Sequence, residues 1–136
     1  MFETEHRLRV RYSETDKMGF VYYGHYATYF EVARVEALRE LGIRYADLED
    51  RGIILPVAEY KVRYHKPAHY DEEIRIVTRV NGLPRASIVF HYKAFNARND
   101  LLTTATTVLV FVDAASRRPM RAPDDVLEAM RKHNLS

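Results

Sequence analysis

A chain of 136 residues, 47% apolar and 29% charged, has the size and composition of one globular domain spanning 1–136, with a single core. Its net charge of +2, with no stripe of Lys and Arg, gives no argument for a nucleic-acid partner; the absence of cysteine excludes disulfides, thiolate chemistry and Cys-ligated zinc. No basic segment followed by an apolar run opens the chain, and no stretch approaches the roughly 20 apolar residues that cross a bilayer, so a cytoplasmic protein without membrane insertion is expected.

Residues 6–12 alternate, with Leu8, Val10 and Tyr12 opposite Arg7, Arg9 and Arg11, which reads as a half-buried strand with a basic wet face. Ser13, Glu14, Thr15 and Asp16 prefer to bond nearby backbone rather than continue a ladder. Residues 16–26 then form a glycine-punctuated, tyrosine-rich loop carrying one carboxylate. It feeds a long helix that begins at about residues 23–25. Tyr26, Phe30, Ala33, Ala37 and Leu41 recur at helical spacing. Ala27, Tyr29, Val32, Val35 and Leu38 leave few polar positions, so the helix should be enclosed by sheet. Gly42 supplies a left-handed cap.

A short helical turn at 45–49 and an apolar connector at 53–56 lead to four alternating stretches. The first is Ala58, Tyr60, Val62 and Tyr64; the second is Ile74, Ile76, Thr78 and Val80. Asn81-Gly82 signals a hairpin with positive φ. The third stretch is Ala86, Ile88, Phe90, Tyr92 and Ala94, followed by a tight connection at 96–100. The last, 102–112, is dense in Thr and Val on both faces, as a central or dimer-flanking strand would be. Residues 123–132 read as a short amphipathic helix with Pro123 at its start. The architecture is α+β: one long helix wrapped by five antiparallel strands joined by short turns.

The loop before the helix suggests chemistry. Unpaired N–H groups at a helix start form a positive pole that receives developing negative charge. Gly19 and Gly24 allow a sharp turn and close approach of a substrate to the backbone. A carboxylate at Asp16 facing those donors is the minimum equipment for hydrolysing an acyl group. Spacing alone also fits a carboxylate that merely caps a turn.

The string Asp16-x-x-Gly19-x-Val21-Tyr22-Tyr23-x-x-Tyr26-x-x-Tyr29-Phe30-Glu31-x-Ala33-Arg34 resembles the signature of the 4-hydroxybenzoyl-CoA thioesterase-like proteins, nearest the YbgC-type acyl-CoA thioesterases. Tyr64-x-x-Pro67-Ala68-x-x-Asp71 is similar to a second family segment. The resemblance implies a hot-dog fold and hydrolysis of an acyl-CoA, or an acyl carrier protein thioester, without metal or redox cofactor. It implies a homo-oligomer, a dimer or a dimer of dimers (a homotetramer), with the site spanning two subunits. Asp16 matches the catalytic aspartate, nucleophile or general base, and Tyr23 the position whose backbone N–H polarises the thioester carbonyl. His25 stands where many members have Asn, and is a candidate for polar contact with the thioester or water. Gly19, Tyr22, Gly24 and Tyr26 would border the substrate. Glu31 corresponds to an acidic residue near the subunit interface, with Arg34 as a salt-bridge partner at i+3.

The phosphates of such a substrate call for basic residues at the mouth, and Lys66, Arg85, Arg117 and Arg118 lie at strand ends or turns. His65 and His69 are four apart, but Pro67 between them prevents the helix that would align them, so no metal site is expected. Two other readings stay open. An acyl-chain dehydratase or hydratase of the same fold would need a His base with an acidic partner across the dimer, whereas His25 and Glu31 share one segment. A non-catalytic acyl-binding protein would have no use for a buried carboxylate at position 16.

Overall fold

Residues 1–136 are described by a computed structural model. Helix α1 (His25–Glu40) lies against one face of a five-stranded antiparallel sheet. The strands are β1 (Phe2–Arg9), β3 (Val57–Tyr64), β4 (Glu73–Val80), β5 (Ser87–Phe95) and β6 (Leu101–Val110), in the order β1-β4-β5-β6-β3. A small second sheet pairs β2 (Ile53–Ile54) with β7 (Val112–Asp113), beside helix α2 (Tyr45–Asp50). Helix α3 (Asp124–Arg131) closes the chain, with Pro123 as its N-cap. No helix is long and apolar enough to cross a membrane.

The helical and strand periodicities converge on one core. Tyr26, Phe30, Ala33, Ala37 and Leu41 are all buried, and the Phe30 ring stacks on Tyr92 of β5 at 4.6 Å. Burying a side chain such as Phe30 contributes about 1.5–3 kcal/mol. From the sheet, Ile74, Ile76, Ile88, Phe90, Leu102 and Leu109 face the same core. At its far end α1 stops as expected: Gly42 takes φ +87°, and the N–H groups of Gly42 and Ile43 bond to the carbonyls of Arg39 and Leu38.

Four expectations are corrected. The first strand begins and ends earlier than 6–12, because the Glu14 carboxylate accepts the Arg11 N–H and turns the chain into a 3-10 turn at Tyr12–Glu14; Tyr12 is consequently 78% exposed. The strands do not run as a meander. β3 pairs with β6, not β4, and the connection 65–72 carries the chain across to the other side of the sheet. Neither Asn81 nor Gly82 has positive φ; pairing of β4 with β5 ends at Arg79–His91, and the wider loop is occupied by the C-terminal carbonyl of Ser136, which accepts the Leu83 N–H. Finally, α1 is covered on one side only: Ala27, Glu31 and Val32 are exposed. Its apolar surface is wider than one chain covers.

Candidate active site

The two sequence motifs meet in space. The crossing connection runs beneath the loop before α1: the Val21 N–H donates to the Ala68 carbonyl at 2.8 Å, and Phe20 pairs with His69 in an isolated bridge. Tyr64, the last residue of β3, donates its hydroxyl to the Tyr23 carbonyl at 3.2 Å. The start of α1 is therefore fixed to the edge strand.

Within the loop, the Asp16 carboxylate oxygen Oδ1 accepts the N–H groups of Met18 at 2.9 Å and Phe20 at 3.3 Å. The Asp16 backbone N–H and carbonyl bond to Phe20 and Gly19. Gly19 sits at φ +81°, a conformation L side chains rarely adopt, so the turn that holds Asp16 needs glycine there. Asp16 is exposed and its second oxygen, Oδ2, has no partner in the chain. The buried carboxylate expected at position 16 is instead a neighbour.

That neighbour is Glu14, only 6% exposed. Its oxygens accept the Arg11 N–H at 2.8 Å, the Arg11 guanidinium at 3.1 and 3.2 Å, and the Tyr29 hydroxyl at 2.9 Å. Its carbonyl accepts the Tyr22 N–H. Burial pushes this carboxyl up, but the hydrogen bonds from Arg11 and Tyr29 outweigh it and hold the pKa below the usual carboxylate value. One residue thus ties the loop to both β1's exit and the core face of α1.

At the helix start the N–H groups of His25 and Tyr26 are taken by the carbonyls of Tyr22 and Tyr23. Those of Tyr23 and Gly24 have no acceptor in the chain, so two donors stand free at the positive pole of a 16-residue helix. Gly24 has ordinary helical φ; what requires glycine there is space, because a Cβ would lie 2.8 Å from the Tyr22 ring. Tyr23 is 63% exposed and Tyr22 packs on it at 4.5 Å. The His25 ring stands edge-on to Tyr22 and makes no hydrogen bond.

Aromatic side chains form a wall beside these donors. Tyr26 is buried against Tyr64 at 5.4 Å and Tyr29 at 5.6 Å, and Tyr60 points to the same side of β3. Burial raises the phenols of Tyr26, Tyr29 and Tyr64, and pushes Tyr60 up to about 12. All four are neutral at neutral pH, and the hydroxyls of Tyr29 and Tyr64 donate, to Glu14 and to the Tyr23 carbonyl.

The other candidates divide by position. Lys66 lies at the same end of the sheet as the Asp16 loop, within 3.7 Å of Asp100. Arg85, Arg117 and Arg118 lie at the opposite end of β6, about 30 Å away along a ten-residue strand. They do not join this site within one chain. Glu31 and Arg34 do not pair: Glu31 is exposed, while Arg34 turns inward among Tyr92 and Tyr45, its Nε without a partner. Glu14 and the Gly24 N–H were missed by sequence reasoning. The available signal was Glu14 three residues after Arg11, the spacing of a capping box.

A helix laid on a five-stranded antiparallel sheet defines a hot-dog fold, and the relatives below make the protein a thioesterase of that fold. The profile of the Thioesterase-like superfamily matches residues 10–130, and the chain belongs to that family. It is 32% identical over 120 residues to the acyl-CoA thioester hydrolase YbgC of Escherichia coli O6:H1, covering 88% of this chain and 90% of that one. It is 32% identical over 130 residues to the acyl-CoA thioesterase YbgC of Haemophilus influenzae, covering 94% and 93%. A crystal structure of a DHNA-CoA thioesterase from Staphylococcus aureus superposes with a TM-score of 0.92 at 39% identity, over 98% of this chain and 92% of that one.

Proposed function

We propose that the protein hydrolyses acyl-CoA thioesters to free acid and CoA, with Asp16 and the start of α1 as its catalytic machinery. One observation carries the reading: an unpartnered carboxylate oxygen on Asp16 and two unpartnered N–H groups, of Tyr23 and Gly24, in the same loop-to-helix segment. The thioester oxygen accepts the two N–H groups and gains negative charge as the carbonyl is attacked. Asp16 Oδ2 either attacks that carbon, forming a mixed anhydride that water then opens, or takes a proton from the attacking water. Label appearing in the Asp16 carboxylate after single turnover in ¹⁸O-water identifies the first route, opened by water at the aspartyl carbon, and trapping of an acylated Asp16 by hydroxylamine identifies it where water attacks the acyl carbon.

The second half of the site comes from a second copy. The inward side of β3 alternates like the buried strands, yet Val57, Tyr60 and Tyr64 stay exposed at a free sheet edge, beside Tyr22 and Tyr23. Pairing of two β3 edges about a two-fold axis covers these groups and seats the tyrosine wall against its counterpart. Arg85, Arg117 and Arg118 then serve a phosphate only from another subunit. An aromatic acyl group suits a wall of Tyr26, Tyr60 and Tyr64, and the staphylococcal relative is a DHNA-CoA thioesterase.

Thiol release from short, long and aromatic acyl-CoAs, with Asp16→Asn beside wild type, tests the reading. Turnover of one class that disappears in the variant supports it. Hydrolysis undiminished by the substitution would refute it.

A further inference from the structure

The face of the sheet turned away from α1 carries a second constellation, independent of the thioester site. Register places Lys61, Thr106, His91, Arg79 and Glu3 in one rung across all five strands. The neighbouring rung, on the same face, is Arg63, Thr104, Lys93, Val77 and Glu5. In both rungs a short threonine on β6 lies between longer basic or imidazole side chains on β3 and β5. The result is a trough of about 390 Å³ with two threonine hydroxyls on its floor, Lys61, Arg63, Arg79 and Lys93 along its walls and Glu3 at its β1 end.

Charge balance across this trough is incomplete. Arg79 is paired with Glu3 at 3.0 Å, and Lys61 with Glu59 at 3.3 Å. Arg63 and Lys93 have no carboxylate within 4 Å, although they face each other across Thr104, about two strand spacings or 9.6 Å apart. The Thr104 and Thr106 hydroxyls lie 3.2 Å from the His65 ring and 3.4 Å from the His91 ring. Arg63 and Lys93 flanking the Thr104 hydroxyl, with no carboxylate between them, form a receptor for a ligand rich in oxygen acceptors. Two rungs about 6.6 Å apart suit two linked anionic groups better than one. Pairing of the β3 edge uses backbone groups, so it leaves these outward side chains in place.

We propose that this trough binds a diphosphate group, free or carried by a nucleotide, as a site separate from the catalytic loop. Arg63 and Lys93 close on the anion from opposite walls, Lys61 and His91 flank the second phosphoryl, and the threonines donate from below. The proposal does not rest on the thioesterase reading.

Calorimetric titration of the full-length protein at low salt with inorganic pyrophosphate, ADP and orthophosphate tests it. Saturable binding is expected for pyrophosphate and ADP, with orthophosphate weaker; tighter ADP than pyrophosphate identifies the nucleotide as the source. The double variant Arg63→Ser/Lys93→Ser should bind about 100-fold more weakly, roughly tenfold for each charged contact removed. Its thiol release should match wild type. Arg63→Gln alone, expected to lose about tenfold, carries the test if the double variant does not fold. No saturable heat, or binding unchanged in either variant, would overturn the site. An assembly that halves in size on the double substitution, without ligand binding in wild type, would overturn it too and assign the face to another copy of the chain.

Discussion

The two ends of helix α1 are built to opposite rules. At its C-terminal end the carbonyls of Leu38 and Arg39 accept the N–H groups of Ile43 and Gly42, which turn the chain out of the helix. At its N-terminal end two N–H groups and one carboxylate oxygen are left unpaired, among tyrosines that remain exposed. Capping the start would stabilise the helix by about 0.5–2 kcal/mol. Leaving it open keeps donors available for a substrate, and the end that looks unfinished is the one to which we assign the proposed chemistry.

Substitutions can separate the two ends. Asp16→Asn should lower thiol release by about 10²–10⁴-fold while the melting temperature stays within a degree or so of wild type, since only Oδ1 is used structurally. A matching drop in melting temperature would reduce Asp16 to a turn residue. Glu14→Gln should break the distinction, because this side chain joins the loop to the core. The expected loss is about 1–3 kcal/mol of stability in denaturant titration, with reduced turnover as well.

Glu14 also gives a pH signature. Its carboxyl is held below the ordinary value in the folded protein, so its contribution is present above the ordinary carboxylate pKa and is lost as pH falls through the lower folded value. Glu14→Gln should therefore flatten the acid limb of a stability-versus-pH curve. An unchanged limb would place the acid sensitivity elsewhere.

At the opposite end, Gly42→Ala should cost about 1–2 kcal/mol, because alanine at φ +87° is strained, and leave turnover intact. Loss of activity there would mean the two ends are coupled. The smallest effect is expected for Tyr64→Phe. Removing the 3.2 Å hydrogen bond to the Tyr23 carbonyl should cost about 0.5–1.5 kcal/mol and a few-fold in turnover, read as a change in kcat rather than KM.

Much of this fold is legible in the chain. The spacing of Phe30, Ala33 and Ala37, and the alternation of Ile74, Ile76, Thr78 and Val80, each name a buried face, because packing period is a local property. Strand order is not local. Tyr60, Val62 and Tyr64 alternate as Phe90, Tyr92 and Ala94 do, and nothing in the period says that one strand has neighbours on both sides while the other lies at an edge. The crossing of 65–72 looked like a turn for the same reason. Asp16 is singled out as a candidate by a family pattern. Glu14 was hidden because its value depends on Tyr29, fifteen residues along and on a different element. Arg34 shows the converse error: its i−3 partner Glu31 was available on the helix, but Arg34 is buried among Tyr92 and Tyr45 while Glu31 faces solvent.

The strand order also orders the folding reaction. β4, β5 and β6 follow one another through short connections, so their pairings close small loops early. β1 and β3, the two edges, each find partners far away along the chain, and must wait until the three-stranded centre exists. Loop closure favours the β4–β5–β6 meander as the nucleus, a reading that φ-values at Phe30 and Tyr92 would test. The Asp16 loop rests on the crossing segment that delivers the chain from one edge to the other, so it acquires its shape in the last step. A chain that has collapsed but not yet docked β3 has a core and lacks the proposed site.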